Sequence, residues 1–259
     1  MDFDPGFEVT PLADPLGFRL GGDCFGGGVE YRRLDSIRPS LRDPDCAGPE
    51  TVYAIMMDVG RREDLPAMER RMLLYGVVTY AAGRLGDEPI RSQGHIHKVS
   101  AHCGWSTPEV YEIWDGEAII YMQETAEDDP GRCFAVRAKP GDVVIVPPYW
   151  AHATISADPT RPLTFGAWCD RDYGFDYRGV RRHGGIAFFP LLDAENRICW
   201  EKNASYGPCE LVCKAPGSYA RFSIQPGKPI YRQFMEDHDR FLFVSDPGAR
   251  PELWEGFVP

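Results

Sequence analysis

Two neighbouring stretches, Gly94-His95-Ile96-His97 and Pro108-Glu109-Val110-Tyr111, decide the fold of this chain. The two histidines are separated by one residue, and on a β-strand this spacing puts both imidazoles on one face. Glu109 can join them from the next strand. A fourth candidate, His152, ends the stretch Pro147-Pro148-Tyr149-Trp150-Ala151-His152. Three imidazoles and one carboxylate suit a first-row divalent metal such as Fe²⁺, Mn²⁺, Ni²⁺ or Zn²⁺, with positions left open for a substrate.

The composition favours one large β-rich domain in a water-soluble setting. The chain has 259 residues, 43% of them hydrophobic, with 27 glycines and 23 prolines that favour short strands and turns. A formal net charge of -11 argues against a nucleic-acid or anionic-membrane partner. The sequence has no apolar run long enough for a membrane span and no signal-peptide pattern at its start. With eight scattered cysteines that form no framework, we expect a cytoplasmic protein with reduced thiols.

Strand signals separated by Gly, Pro and Asp turns fill the middle of the chain, which indicates a sandwich or a barrel. Asp115-Gly116 predicts a hairpin between its flanking strands. Residues 61–71 suggest a short exposed helix that Pro66 interrupts, and residues 229–244 have spacings that a helix could use. The expected strands are 29–34, 51–57, 72–80, 110–114, 118–123, 133–138, 143–146, 153–156 and 163–169, with a hairpin over 186–202.

The expected organisation is one domain with extensions at both ends. Residues 1–50 would be an N-terminal extension that adds strands, and 51–200 would form the barrel. Residues 201–259 would be a partly helical extension packed on the barrel. The aromatic residues of this last part are predicted to cover either a site or an interface.

The spacing of the candidate ligands matches the two motifs of the cupins. Their first motif has His-x-His, then Glu, six residues and Gly, as found from Glu109 to Gly116. Their second has Gly, five residues and Pro, with a histidine five positions later, as in Gly141, Pro147 and His152. The chain therefore resembles a cupin, an all-β double-stranded β-helix or jelly-roll barrel whose ligands point inward. It departs from the pattern by an eleven-residue insert, 98–108, and by Tyr149 in place of a glycine.

More closely, residues 29–190 resemble the cupin-type glucose-6-phosphate isomerases of archaea and some bacteria. The resemblance implies that His95, His97, Glu109 and His152 bind the metal, that Tyr111 lines the sugar site, and that the protein is a homodimer in glycolysis or gluconeogenesis. The matching stretches are Arg32-Arg33-Leu34, Gly94-His95-Ile96-His97, Glu109-Val110-Tyr111, Pro140-Gly141, Pro147-Pro148-Tyr149-Trp150-Ala151-His152 and Asp176-Tyr177.

The phosphate site of that family is only partly matched. One hydroxyl position falls on Ser92 but another falls on Val78, and Phe175 stands where the family has a histidine. A basic cluster, which comprises Arg171, Arg178, Arg181, Arg182 and His183, is either a solvated surface or the substitute anion site. The candidate substrate-binding residues are Ser92, Gly94, Trp168, Tyr177, Arg171 and Arg178.

The expected activity is metal-dependent interconversion of glucose 6-phosphate and fructose 6-phosphate. Glu109 would move the proton and Tyr111 would assist it, although a hydride shift stays open. One alternative is an unphosphorylated or sulfonated hexose such as sulfoquinovose as the substrate. Others are an iron dioxygenase and a non-catalytic sugar-sensing cupin. His102 and His183 match neither motif, and we expect surface roles for both.

Overall fold

The computed structural model of the chain describes residues 3–259, which form mainly short β-strands. The strands are β1 Val9–Ala13, β2 Leu16–Leu20, β3 Cys24–Phe25, β4 Val29–Arg33, β5 Thr51–Met56, β6 Gly60–Arg61, β7 Leu73–Tyr80, β8 Arg84–Leu85, β9 Glu88–Pro89, β10 Ile96–His97, β11 Glu109–Asp115, β12 Ala118–Gln123, β13 Cys133–Ala138, β14 Val143–Val146, β15 Ala151–Ser156, β16 Leu163–Asp170, β17 Phe175–Asp176, β18 Phe188–Leu192, β19 Ile198–Lys202 and β20 Leu211–Lys214. The α-helices are α1 Leu34–Ile37, α2 Leu65–Arg70, α3 Arg178–Arg182, α4 Ile230–Glu236 and α5 Leu242–Ser245. Short 3₁₀ helices lie at Arg38–Ser40, Ala220–Phe222, Pro247–Ala249 and Pro251–Leu253.

Two facing sheets form the body of the protein. The large sheet has the strand order β14-β11-β16-β7-β5-β4, and the small sheet has the order β15-β12-β13-β20. Along the chain, β11 belongs to the large sheet, β12 and β13 to the small one, and β14, β15 and β16 then alternate between the two. This alternation is the jelly-roll topology, and it confirms the predicted all-β cupin fold.

The large sheet has an inner face and an outer face that draw on alternate residues. One row of opposed inner residues is Arg32, Tyr53 and Tyr80, which pair across β4, β5 and β7. Ile55 and Val78 lie opposite each other in the next inner row, which continues to Phe165 of β16. The inner face therefore extends across the whole width of the large sheet. It faces the small sheet.

The outer face is covered by the C-terminal part of the chain. Trp168 is fully buried there, and its ring lies 4.6 Å from that of Phe234 and 5.6 Å from that of Tyr231. The Trp168 indole also donates to the Ile230 carbonyl at 3.4 Å. The aromatic side chains of residues 201–259 therefore form a second core on the outer face. The division into 1–50, 51–200 and 201–259 stays a prediction, and β4 and β20 continue the two sheets across its boundaries.

The strand predictions agree closely with the structure, but the predicted Asp115-Gly116 hairpin is wrong. Strand β11 pairs with β14 and β16, whereas β12 pairs with β13 and β15 in the other sheet. The turn therefore carries the chain between sheets, with Gly116 at a φ of +77°. A turn signal is local and does not specify which strand becomes the partner.

Two helix predictions also need correction. Pro66 lies in the first turn of α2, where proline is tolerated, so it starts this helix and does not interrupt it. The predicted helix over 229–244 is split into α4 and α5. Within residues 3–259, no helix has both the length and the apolar character needed to cross a membrane.

Candidate metal centre

Four side chains from three segments of the chain converge on one point between the two sheets. His95, His97, Glu109 and His152 each offer a ligand atom, and these atoms lie within 4.8 Å of one another. The backbones of His95 and His152 form a two-way bridge, with N–H to carbonyl distances of 3.0 and 2.9 Å. This bridge fixes two of the imidazoles next to each other, with ring centroids 4.3 Å apart.

Backbone carbonyls orient two of the histidine rings. His97 Nδ1 lies 2.8 Å from the Thr107 carbonyl, and His152 Nδ1 lies 3.1 Å from the Trp150 carbonyl. A carbonyl can only accept, so each Nδ1 carries the proton and each Nε2 presents its lone pair to the centre. Within the described chain, Nε2 of His95 and of His152 are buried without an aligned hydrogen bond. Buried nitrogens left in this state fit a role as metal ligands.

The two oxygens of Glu109 have different surroundings. Oε2 lies 3.3 Å from His97 Nε2 and 3.4 Å from His152 Nε2, and it accepts the Tyr111 hydroxyl at 2.7 Å. Oε1 points elsewhere and lies 3.3 Å from the Cys169 thiol. Oε2 therefore faces the candidate metal site, whereas Oε1 faces the Cys169 thiol.

The electrostatics of the site favour the protonation states that metal binding requires. Burial raises the pKa of Glu109, but the adjoining imidazoles of His152 and His97 outweigh it and hold this pKa well below its ordinary value. Burial lowers the pKa of His95 and of His152, and neighbouring histidines add to this effect, while Glu109 opposes part of it. Neutral imidazoles and an ionised carboxylate are the forms that bind a divalent cation. The donor set therefore fits a metal such as those predicted.

A cavity of about 610 Å³, counting its opening to solvent, lies over this centre. Aromatic side chains make up much of its wall, and Phe175 packs 4.6 Å from the His95 ring. The lining residues are Arg32, Tyr53, Ile55, Met57, Val78, Tyr80, Ser92, His95, His97, Glu109, Tyr111, Thr154, Phe165, Cys169, Tyr173, Phe175 and Tyr177.

The structure brings three predicted sugar-site residues to this wall, namely Ser92, Tyr111 and Tyr177. Gly94 stands behind it. At Gly94 φ is +89°, and a Cβ would lie 2.8 Å from the Ile186 side chain, so the position requires glycine for backbone reasons.

Three other predicted substrate-binding residues do not line the cavity. Trp168 is turned to the outer face, because successive residues of β16 alternate, and its neighbour Cys169 takes the inner position. Arg171 makes a two-point contact with Asp58, at 2.6 and 2.7 Å. Arg178 is exposed, pairs with Asp176, and lies at a separate depression that shares Phe175 and Tyr177 with the cavity.

The predicted basic cluster is not a single surface. Arg181 bonds to Gln93, and Arg182 pairs with Glu127. The surface role expected for His183 is wrong, since its ring is buried and bonds to the Gly179 carbonyl and Asp128 at 2.8 and 3.0 Å. His102 is exposed, as expected. The members of the predicted cluster therefore pair with different neighbouring residues.

Sequence reasoning missed several cavity residues, among them Arg32, Tyr53, Cys169 and Tyr173. The two-residue repeat of a β-strand could have identified Tyr53 as an inward residue, because its neighbours in the strand point outward. Arg32 was part of a matching motif, but only strand pairing shows that it faces inward opposite Tyr53.

The similarity to known proteins covers the part of the chain that forms this site. The family model described as "Glucose-6-phosphate isomerase (GPI)" matches residues 42–208, which is more than half of the chain. The chain belongs to the glucose-6-phosphate isomerase family. The match includes all four candidate metal ligands and most of the cavity wall, and it confirms the predicted family.

Curated relatives agree with this assignment. The chain is 33% identical over 114 residues to glucose-6-phosphate isomerase from Thermococcus litoralis, covering 44% of this chain and 53% of the relative. It shows the same identity and coverage with the enzyme of that name from Pyrococcus furiosus. It is 28% identical over 114 residues to a putative glucose-6-phosphate isomerase from Rhizobium meliloti, covering 44% of this chain and 49% of the relative. The chain thus spans about half the length of the curated relatives it matches.

Solved structures that match part of the chain include an oxalate oxidase, with a TM-score of 0.35 and 14% identity over 48% of this chain and 53% of that one. An oxalate decarboxylase from Bacillus subtilis gives a TM-score of 0.33 and 15% identity over 59% of this chain and 30% of that one.

Proposed function

We propose that this protein is a metal-dependent aldose–ketose isomerase that interconverts glucose 6-phosphate and fructose 6-phosphate. The observation that carries the proposal is the convergence of His95, His97, Glu109 and His152 beside a cavity, where the second oxygen of Glu109 points away from the histidines and accepts from the Cys169 thiol. Family membership and the names of the relatives support the reaction class.

The reaction moves a hydrogen between C1 and C2 of the sugar while the carbonyl changes place. A divalent cation held by the four side chains would supply Lewis acidity toward the C1 and C2 oxygens. Glu109 Oε1 is directed away from the histidines, and in our proposal it accepts the carbon-bound proton and returns it to the neighbouring carbon. Tyr111 holds Oε2 in place through its hydroxyl. Burial holds the pKa of Tyr111 well above its ordinary value, so this hydroxyl stays a donor.

The apolar wall serves the same chemistry. Val78, Phe165 and Phe175 line the cavity without offering hydrogen-bond partners. They exclude water from the reacting carbons, which strengthens electrostatic effects at the site and protects an enediol from side reactions.

A second candidate keeps the same chemistry with a sulfonated or an unphosphorylated hexose. Val78 and Phe175 favour it, because both are apolar and both line the cavity where the family would place a hydroxyl and a histidine toward phosphate. We rank it below the phosphorylated sugar because the relatives are named for glucose 6-phosphate.

The test is direct isomerisation by protein stripped of metal and reloaded with Fe²⁺, Mn²⁺, Ni²⁺ or Zn²⁺. Fructose 6-phosphate, fructose and a 6-sulfonated ketohexose would be incubated with each form, and NMR in deuterated water would follow aldose formation and deuterium entry at C2. We expect conversion of fructose 6-phosphate with deuterium incorporated. Conversion without deuterium would favour a hydride shift over the proton role of Glu109, and no conversion of any ketose by any metal form would refute the proposal.

A further inference from the structure

We propose that Arg32, together with the hydroxyls of Tyr53 and Tyr177, forms the subsite that anchors a tetrahedral oxyanion on the substrate, either a phosphate or a sulfonate. This inference rests on the proposed function, because it assigns the end of the substrate remote from the reacting carbons. It depends on where these residues lie relative to the metal centre and on which charges the cavity offers.

The strand order separates Arg32 from the metal centre. Glu109 lies on β11 and Arg32 on β4, four strands along in the large sheet. Neighbouring strands are about 4.8 Å apart, so the two strands are separated by up to ~19 Å along a flat sheet, and the curvature of the sheet shortens this distance. Long side chains project into the cavity from both ends. Arg32 and the donors His95, His97 and Glu109 nevertheless line the same cavity, so in our proposal one molecule has its reacting end at the donors and its acidic group at Arg32.

Arg32 is the cation of this cavity. Among the described residues that line it, Arg32 is the one arginine or lysine, and Glu109 is the one carboxylate. The Arg32 side chain is only 23% exposed. A partly buried guanidinium binds phosphate or sulfonate more strongly than an exposed lysine does, because its planar donors match the oxygens and little water competes.

Two tyrosines complete the subsite. Tyr53 is buried directly opposite Arg32 in the strand pairing, and half-buried Tyr177 lines the same cavity. Both tyrosines lie beside the Arg32 guanidinium on the cavity wall. Phenolic hydroxyls are suitable donors to an oxyanion.

The existing partner of Arg32 leaves room for a ligand. Arg32 Nη1 donates to Glu30 at 3.0 Å, and the Glu30 side chain is 53% exposed. Among the described residues, Glu30 is the one carboxylate that pairs with Arg32, and the other neighbours of the guanidinium include the neutral hydroxyls of Tyr53 and Tyr177. An exposed ion pair contributes little stability, and an incoming dianion can compete with it.

Arg171 and Arg178, the two arginines predicted to bind substrate, do not offer an equivalent site. Arg171 is held by both oxygens of Asp58, and Arg178 by Asp176. Neither lines the cavity. Arg32 therefore replaces the basic cluster as the candidate anion site.

Binding of a non-reacting ligand tests the inference without requiring turnover. Glucitol 6-phosphate, the corresponding 6-sulfonated hexitol and glucitol itself would be titrated calorimetrically into wild-type protein loaded with Zn²⁺, and into Arg32→Met and Arg32→Lys. Arg33→Met is the matched control, since Arg33 is the next residue of the same strand, points to the other face and pairs with exposed Glu50. Circular dichroism would verify that each variant is folded.

We expect Arg32→Met to weaken binding of the acidic hexitol about 100-fold and to leave glucitol binding unchanged. Arg32→Lys should recover part of the loss, Arg33→Met should match the wild type, and Glu30→Gln should bind the acidic hexitol several-fold more tightly. The acidic hexitol that loses more on Arg32→Met identifies phosphate or sulfonate as the group. Equal affinities of wild type and Arg32→Met for both acidic hexitols would overturn the inference.

Parallel kinetics separates this inference from the proposed isomerase. If no ketose is converted but the acidic hexitol still binds through Arg32, the isomerase proposal fails and the subsite stands. If fructose 6-phosphate is converted with the same KM by wild type and Arg32→Met, the subsite fails and the isomerase stands.

Discussion

The two faces of the large sheet are made by the same strands but carry different chemistry. On β16, Cys169 faces the cavity and its thiol contacts Glu109, whereas Trp168 faces outward and is buried among the aromatic residues of the C-terminal part. On β11, Tyr111 bonds to the metal-site carboxylate, whereas Glu112 accepts the backbone N–H of Ile230 at 2.9 Å. Alternate residues of one strand thus serve a site and a core. Substitutions on the inner face should therefore alter ligand binding with little effect on folding. Substitutions on the outer face should reduce stability with little effect on ligand binding.

The largest effect is expected on the inner face, from His97→Ala. Loss of one of four donors should reduce metal affinity by more than the roughly 10–100-fold typical of losing a ligand's hydrogen-bond partner, and activity by at least about 1000-fold. The matched control is His102→Ala, since His102 is exposed and lies outside the centre. Metal titration and isomerase assays would measure both. Wild-type metal affinity in folded His97→Ala protein would refute the assigned donor set.

On the outer face, Trp168→Ala should mainly reduce stability. Removing a fully buried indole leaves a cavity among Tyr75, Tyr231 and Phe234, and should lower the free energy of unfolding by about 3–5 kcal/mol. Urea unfolding would measure this, with Val212→Thr as an exposed control expected to change little. Metal affinity of the folded fraction should stay at the wild-type value. A selective loss of metal binding would contradict the separation of the two faces.

A pH effect is expected from the outer-face carboxyl of Glu112. Burial raises the pKa of Glu112 to about 8, from an ordinary value of 4.5. The folded state then holds a proton that the unfolded state has released, so this group makes stability fall as pH rises from about 4.5 to about 8. Between pH 5.5 and 8 the loss should be roughly 3 kcal/mol.

Glu112→Gln should remove that part of the pH dependence. Urea unfolding of wild type and variant at pH 5.5 and at pH 8 isolates it, because every other titrating group contributes equally to both proteins. If the two proteins lost the same stability over this range, Glu112 would not titrate there.

The smallest effect is expected from Tyr111→Phe, which removes one hydroxyl from the inner face. Glu109 Oε2 loses the 2.7 Å hydrogen bond that holds it. We expect kcat to fall about 10-fold, with a modest loss of metal affinity. Tyr31→Phe, at an exposed tyrosine of the outer face, should leave both values unchanged. Equal kcat in the two variants would mean that Tyr111 only fills space.

Much of the fold and of the metal centre could be predicted because their signals are local. The i, i+2 histidines, the glutamate ahead of Gly116 and the histidine after Pro147 have fixed spacings on short strands, and their side chains meet in the structure. Strand positions were predictable for the same reason, since β-branched and aromatic runs between turn residues define them without reference to the rest of the chain.

Partners across the fold could not be predicted from local signals. The Asp115-Gly116 turn specified a change of direction but not the strand that β12 would join. Trp168 was predicted to bind substrate, but it lies in the outer core, and the next residue, Cys169, lines the cavity. Neighbouring residues of a strand point to opposite faces, so an error of one residue exchanges the two.

The sequence by itself determined the strands, the four candidate donors and the family to which the chain belongs. Tertiary structure alone decided which cations face the cavity. Arg171, Arg178 and Arg182 are near one another in the sequence but are each held by a separate carboxylate, whereas Arg32 reaches the cavity through the pairing of β4 with β5. The physical reason is that a charged side chain is positioned by the partner that compensates its burial, and in a sheet that partner belongs to a strand remote in the sequence.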